Sequence, residues 1–361
     1  MSTAPVTPDT RARWRDVLDE HSAGIAALRT GLLALLGTLL GVGLVIAALG
    51  QDPIEAYRTI VQGSLGSTDS IGQTLMVSVP LALCGVAAAI PFTARLWNVG
   101  AEGQMHIGAF GAVAVGLTLP ALPGPVFIPL ILLGAVIGGA AWAAIAGALK
   151  AAVGANEVIV TLMLNFIAIL IATYAITGIW PQEISPQTER LPASAGLPNI
   201  WSGTVVNLGF PIALIAVILA WVLMRRTGLG LQIRAIGLNP FASRLNGMNV
   251  GRLTVVTFAI AGLFAGLAGA ILVLGENRAL VTNFSPSYGS LGIAVALVPR
   301  LSPAWIVPSA IAFAALQVGS QSLPAQTGIS TAFGQIIIAT FVLALLGARV
   351  IRLRYAEGAV Q

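Results

Sequence analysis

The chain has 361 residues, of which 57% are hydrophobic and only 9% charged, with 18 Lys and Arg against 13 Asp and Glu. Soluble proteins carry charge on roughly a quarter of their positions, so this composition excludes a solvated globular surface and specifies a membrane protein. The single cysteine, Cys84, excludes an intramolecular disulfide, and the net charge of +5 is read by side of the membrane, with no nucleic-acid partner expected.

Residues 1–29 are basic but contain Asp16, Asp19 and Glu20 and lead into a full-length apolar stretch, which reads as a cytoplasmic tail and signal anchor. Trp14, Val17, Leu18, Ile25 and Leu28 fall near helical spacing, as in a helix lying on the inner leaflet; a tail without structure is the alternative. A helical span needs about 20 apolar residues. Stretches free of Asp, Glu, Lys and Arg hold one span each at 30–51, 70–94, 158–182, 205–224 and 253–275. The stretches 103–149 and 301–348 are twice as long and are interrupted by turn chemistry at Leu119 to Pro125 and Ser320 to Gly328, so each holds two. In 279–299, Thr282, Asn283, Ser285, Pro286 and Ser287 spoil the first third and leave a short or broken span after Tyr288. The expected fold is an all-α polytopic membrane protein of about ten transmembrane helices over residues 30–350, with a tail at 351–361 and both termini on one side.

The positive-inside rule tests that count with residues not used to place the turns. With the termini in the cytoplasm, 15 of the 18 basic residues fall on the inner side, and only Arg58, Arg190 and Arg278 fall outside.

Small residues recur three and four apart, as from Gly134 to Ala140 and from Ala261 to Ala270, which predicts close helix packing. No Asp, Glu, Lys or Arg lies at the centre of a predicted span, which removes the buried relay that proton-coupled carriers need. Sodium coupling through backbone carbonyls survives that argument. The only lysine, Lys150, is followed by Ala151, so the chain has no phosphate-binding loop and cannot hydrolyse ATP itself. Catalytic and metal-binding motifs are also missing.

Three segments are more polar than their positions require. Leu96 to Gly108 contains Asn98, Glu102 and Gln104 with three glycines, and reads as a broken helix or re-entrant turn lining a cavity, or as an inner-face loop with a helix cap. Glu157, Thr161 and Asn165 follow at intervals of four on one face of a span, with Asn156 as N-cap; that stripe either lines a passage or hydrogen-bonds a neighbouring helix. In the basic inner segment 225–252, Asn239 reads as an N-cap with Pro240 at the first helical position, then Phe241 to Asn246, ended by Gly247. That is a short helix outside the membrane.

Together, Trp97 to Gln104, Asn156 to Asn165 and Arg234 to Asn249 resemble the permease subunits of bacterial ABC importers for simple sugars and nucleosides, on the nucleoside side of that family. The match runs from about residue 31 to 350. The resemblance implies a type II-like importer bundle in the cytoplasmic membrane, translocating nucleosides or, alternatively, simple sugars such as ribose or galactose. It also implies a second homologous permease, an ATPase subunit often carrying two fused domains, and a lipid-anchored binding protein outside. ATP is then used by the partner, and this chain binds no cofactor. Asn98, Glu102, Gln104, Glu157, Thr161 and Asn165 become candidates for the translocation pathway. The helix from Asn239 to Gly247, with Pro240, Phe241, Ala242 and Ser243, becomes the coupling helix that docks in the ATPase, approached through Arg234 and Gly237. Val298 to Arg300 departs from the family pattern, where a glycine-containing turn is usual. An ion-coupled carrier, or a channel, is the competing class.

Overall fold

The computed structural model describes residues 37, 39–48, 50–183, 185–299, 301–327, 333, 335–337, 339 and 340. The expected tails at 1–29 and 351–361, most of the last expected span, and Arg300 of the unusual turn lie outside the described residues. The chain divides into two units, Thr59–Ser322 and a second made of Met1–Arg58 with Leu323–Gln361.

In the second unit, α1 (Leu39–Ala48) is followed by a turn at Gly50, whose φ of 77° is a conformation glycine adopts freely. The Asp52 carboxylate then accepts from the Ile54 N–H at 2.8 Å and opens α2 (Pro53–Leu65), whose residues from Thr59 onward belong to the larger unit. The Tyr57 hydroxyl donates to the Leu39 carbonyl. A short helix, α13 (Leu323–Thr327), also belongs here.

The larger unit contains α3 (Thr68–Thr93), α4 (Ala101–Thr118), α5 (Gly124–Val153), α6 (Glu157–Tyr174), α7 (Gly209–Arg226), α8 (Gly228–Leu238), α9 (Pro240–Leu245), α10 (Val250–Leu272), α11 (Tyr288–Leu297) and α12 (Pro303–Ser320). Side-chain caps start many of them: Ser67, Asn156, Thr227, Asn239 and Asn249 each accept from a backbone N–H of the first turn. Among the described residues the structure is helical, with three isolated bridges and no strand.

Among the described residues, six helices are long and apolar enough to cross a membrane: Thr68–Thr93, Gly124–Val153, Glu157–Ile179, Gly209–Arg226, Val250–Gly275 and Pro303–Gln326. Helix α4 is not among them, because Glu102, Gln104 and His106 occupy its first two turns, yet those turns are buried in protein. The weak stretch after Tyr288 forms the ten-residue α11.

Burial of apolar side chains gives little drive between helices already in lipid, so packing depends on close approach. The seam of α5 and α10 shows it. A Cβ on Gly139 would overlap the Gly262 carbonyl, and one on Gly262 would overlap that of Gly139. The expected small-residue runs are this contact. Around the seam, the buried second half of α3 (Val79 to Pro91) and the buried start of α4 complete the interior. Helix α6 turns Ile159, Phe166 and Leu170 outward, an apolar face that suits lipid.

At one end, α6 and α10 each finish in a π-helical turn, Ala175–Ile179 and Val273–Asn277. The connection from 180 to 208 is bonded across this end: Thr188 N–H donates to the Leu280 carbonyl at 2.9 Å and Leu191 N–H to that of Arg278 at 2.7 Å. Asn207 reaches the Gly275 carbonyl at 3.4 Å.

Candidate functional site

The connection between α3 and α4 is a non-helical loop over 94–100 in which exposed Arg95 and Trp97 alternate with buried Asn98 and Gly100. Helix α3 ends with Arg95 N–H donating to the Phe92 carbonyl and Leu96 N–H to that of Pro91, both at 3.0 Å, after which the chain passes exposed Trp97 and buried Asn98 to Gly100, where a continuous α4 begins. Side chains supply partners for backbone groups that the loop leaves without helical ones. The Asn98 amide, fully buried, donates to the Ala87 carbonyl at 3.1 Å and accepts from Gly100 N–H at 3.0 Å. It also exchanges hydrogen bonds with the Gln104 amide, at 3.2 and 2.9 Å.

Asn165 on α6 reaches the same connection from the other side, accepting from Gly103 N–H at 2.7 Å and donating to the Val99 carbonyl at 3.0 Å. Thr161, one turn earlier, is buried and donates to the Glu157 carbonyl at 2.7 Å. Glu157 pairs with Lys150 at 2.7 Å, joining the end of α5 to the start of α6, and receives the Trp97 N–H at 3.5 Å. The Glu102 carboxylate accepts from Gly289 N–H at 2.7 Å in the first turn of α11, where a negative charge complements the helix dipole. His106 donates from Nδ1 to the Glu102 carbonyl at 2.8 Å and packs its ring edge on Phe284. The structure therefore places all six candidates from the two polar segments around one connection, with Asn98 bonded to α3, Asn165 to the start of α4, Glu157 to the end of α5 and Glu102 to the start of α11. Lys150 and His106 belong with them; the signal for Lys150 was a lone lysine seven residues before a carboxylate.

None of those six lines the interior opening at the other end of α3. A cavity of about 480 Å³ lies there between α3, α10, α11 and α12. Its polar edges come from Gln73, Asn207, Tyr288 and Gln321, and its apolar wall includes Met76 and Pro80. Sequence reasoning passed over these residues. Their signal was slight: a glutamine and a proline at α-helical depth in an apolar run, and an asparagine before Gly209.

The short helix at the other end exists as expected. The Asn239 side chain accepts from Ala242 N–H at 3.0 Å, Pro240 opens α9, and Gly247 terminates it at φ 78°. Helix α8 before it was not expected. Gly237 lies on it because a Cβ there would overlap the Thr93 carbonyl at the end of α3. Ser243 is buried and Ala242 half-buried, whereas Leu238, Phe241 and Leu245, at spacings of three and four, are 77%, 69% and 75% exposed. Three large apolar side chains thus face outward from a polar segment.

Residues 70–346 match the protein family described as the permease component of branched-chain amino acid transport systems. A glucose ABC transporter permease of Haloferax volcanii is 33% identical over 92% of this chain and 90% of its own length. A nucleoside ABC transporter permease of Lactococcus lactis is 33% identical, over 80% and 82%. A guanosine ABC transporter permease of Bacillus subtilis is 32% identical, over 91% and 95%. The match of the family over three quarters of the chain, the relatives along nearly all of it and the six membrane-length helices agree: the chain belongs to this permease family, as a multi-pass ABC transporter permease of the cytoplasmic membrane, a transport subunit and not an enzyme.

Proposed function

We propose that this chain is one of two homologous permease halves of an ATP-driven importer that carries nucleosides inward. The observation that carries the substrate is the similarity, along most of the chain, to permeases named for nucleosides and for guanosine. Energy enters from a separate ATPase subunit, which uses the ATP, and substrate arrives from an extracytoplasmic binding protein. A simple sugar is the second reading, supported by the equally similar glucose permease.

Ten spans with both termini in the cytoplasm remain part of this proposal, and the arrangement of charge supports the orientation of α7 that it requires. Arg95, Arg225 and Arg234 surround one opening, at the ends of α3 and α7 and on α8. Arg190 and Arg278 lie in the bonded layer beyond the start of α7. The two groups are at opposite ends of α7, and the richer one belongs inside.

Of the two roles left open for the polar stripe, the hydrogen bonds favour the structural one. We assign Asn98, Glu102, Gln104, Glu157, Thr161 and Asn165 to a frame beside the passage, and the passage itself to the 480 Å³ cavity, whose amide side chains offer both donors and acceptors to an uncharged polar solute. Helix α9 serves as the coupling helix, with Leu238, Phe241 and Leu245 as its docking side chains.

The test is uptake of radiolabelled guanosine by cells expressing the complete system, with competitors. Unlabelled nucleosides should suppress it and glucose should not. Glucose uptake with no guanosine uptake would replace the first reading with the second.

A further inference from the structure

A second cavity, of about 680 Å³, opens between the ends of α3 and α7, α8 and the start of α12. Among the described residues, three arginines line it, Arg95, Arg225 and Arg234, and no Asp or Glu does. Among the described residues none of the three is in a salt bridge. The Arg234 Nη1 is buried with no hydrogen-bond partner, an expensive arrangement for a charged donor unless something fills it. On the opposite wall, Ser302 and Pro303 begin α12, whose N-terminal N–H groups are positive and are not capped by the Ser302 side chain.

Two of the five described non-glycine residues with positive φ line this cavity. Arg95 and Leu301, both lining the cavity, sit at φ 55° and 61°, in the left-handed region that favours glycine. Arg95 ends α3 where glycine is the usual residue, so a charge is kept at a position that disfavours its backbone. Orientation of the chain in the membrane explains arginines on the inner side; it does not explain three around one hollow with an unanswered N–H.

We propose that this cavity is a binding site for a phosphate-bearing anion, held by Arg95, Arg225 and Arg234 and by the start of α12. Guanidinium groups take phosphate oxygens in paired hydrogen bonds. Two sources supply that chemistry, the headgroup of an anionic phospholipid of the inner leaflet and a soluble phosphate compound. The exposed indoles of Trp97 and Trp305, at the end of α3 and the first turn of α12, set the cavity near the depth of lipid headgroups.

The test is the unfolding midpoint of the purified complex in vesicles of phosphatidylcholine, with phosphatidylglycerol added in one arm and inorganic phosphate, at matched ionic strength, in another. A ligand that binds only the folded protein raises the midpoint. A rise of several degrees is expected in one arm, and which arm responds identifies the source. The variant Arg95→Gln/Arg225→Gln alters two exposed side chains, so it should fold in phosphatidylcholine alone and lose the rise, while Arg225→Lys alone should keep part of it. No rise in either arm for the wild type, or an undiminished rise in the double variant, overturns the proposal. So does loss of the ATPase subunit from the double variant on purification, because a partner's carboxylate would then be the occupant.

Discussion

Asn165 answers two backbone groups at once, the Val99 carbonyl of the connection and the Gly103 N–H in the first turn of α4, where the helix supplies no partner of its own. Replacing it with leucine removes that partner from both, one on buried Gly103 and one on half-buried Val99. The expected cost is about 1–3 kcal/mol, the range for orphaned buried polar groups, and the readout is complex yield and unfolding midpoint. Uptake per assembled complex should stay near normal. Full assembly with lost uptake would instead place Asn165 in the wall of the passage. The interval of four from Glu157 to Asn165 was enough to put these side chains on one helix face, and they are there. What they touch was not legible, because Val99 and Gly103 lie more than sixty residues away along the chain and only the packing of α6 against α4 brings them close.

At the scale of the element, α9 was readable because its signals are local: a capping asparagine, a proline at the first position, a terminating glycine. Helix α8 was not, since Gly228, Gly230 and Gly237 lower helix propensity and the reason for Gly237 is a distant contact with α3. The exposed face shared by the two gives a sharper test than any small residue there. Phe241→Asp changes a side chain that nothing in the chain buries, so the permease should reach the membrane in normal amount, while ATP hydrolysis stimulated by loaded binding protein should fall at least tenfold. Unchanged stimulation in an assembled complex would remove α9 from the energy path. The α5 and α10 seam makes the opposite prediction. Gly262→Val places methyl groups against the Gly139 carbonyl, so the helices must separate, at about 1–3 kcal/mol for overpacking. Reduced yield should result, with the ATPase contact unaffected in whatever assembles.

For the whole molecule, composition alone placed the chain in a membrane, and turn chemistry divided its long apolar runs where α4 gives way to α5. Hydropathy was a poorer guide to α4, whose polar first turns are tolerated only because other helices bury them. Sidedness is the property on which the coupling role and the passage both depend, and it can be measured directly. Of the positions that look like surface in the sequence, Gln187 and Ser243 are buried, 8% and 4% exposed, and would be poor probes. Ser202, in the connection before α7, and Asn246, at the end of α9, are exposed and lie beyond opposite ends of that helix. In a Cys84→Ala background, a cysteine at Ser202 should react with a membrane-impermeant maleimide in intact cells, and one at Asn246 only after the membrane is opened. Cys84 itself is fully buried, so removing it guards against background signal rather than altering a surface. Labelling of Asn246→Cys from outside would invert the bundle, put the arginine cavity and α9 on the side that has no ATP, and end the coupling assignment.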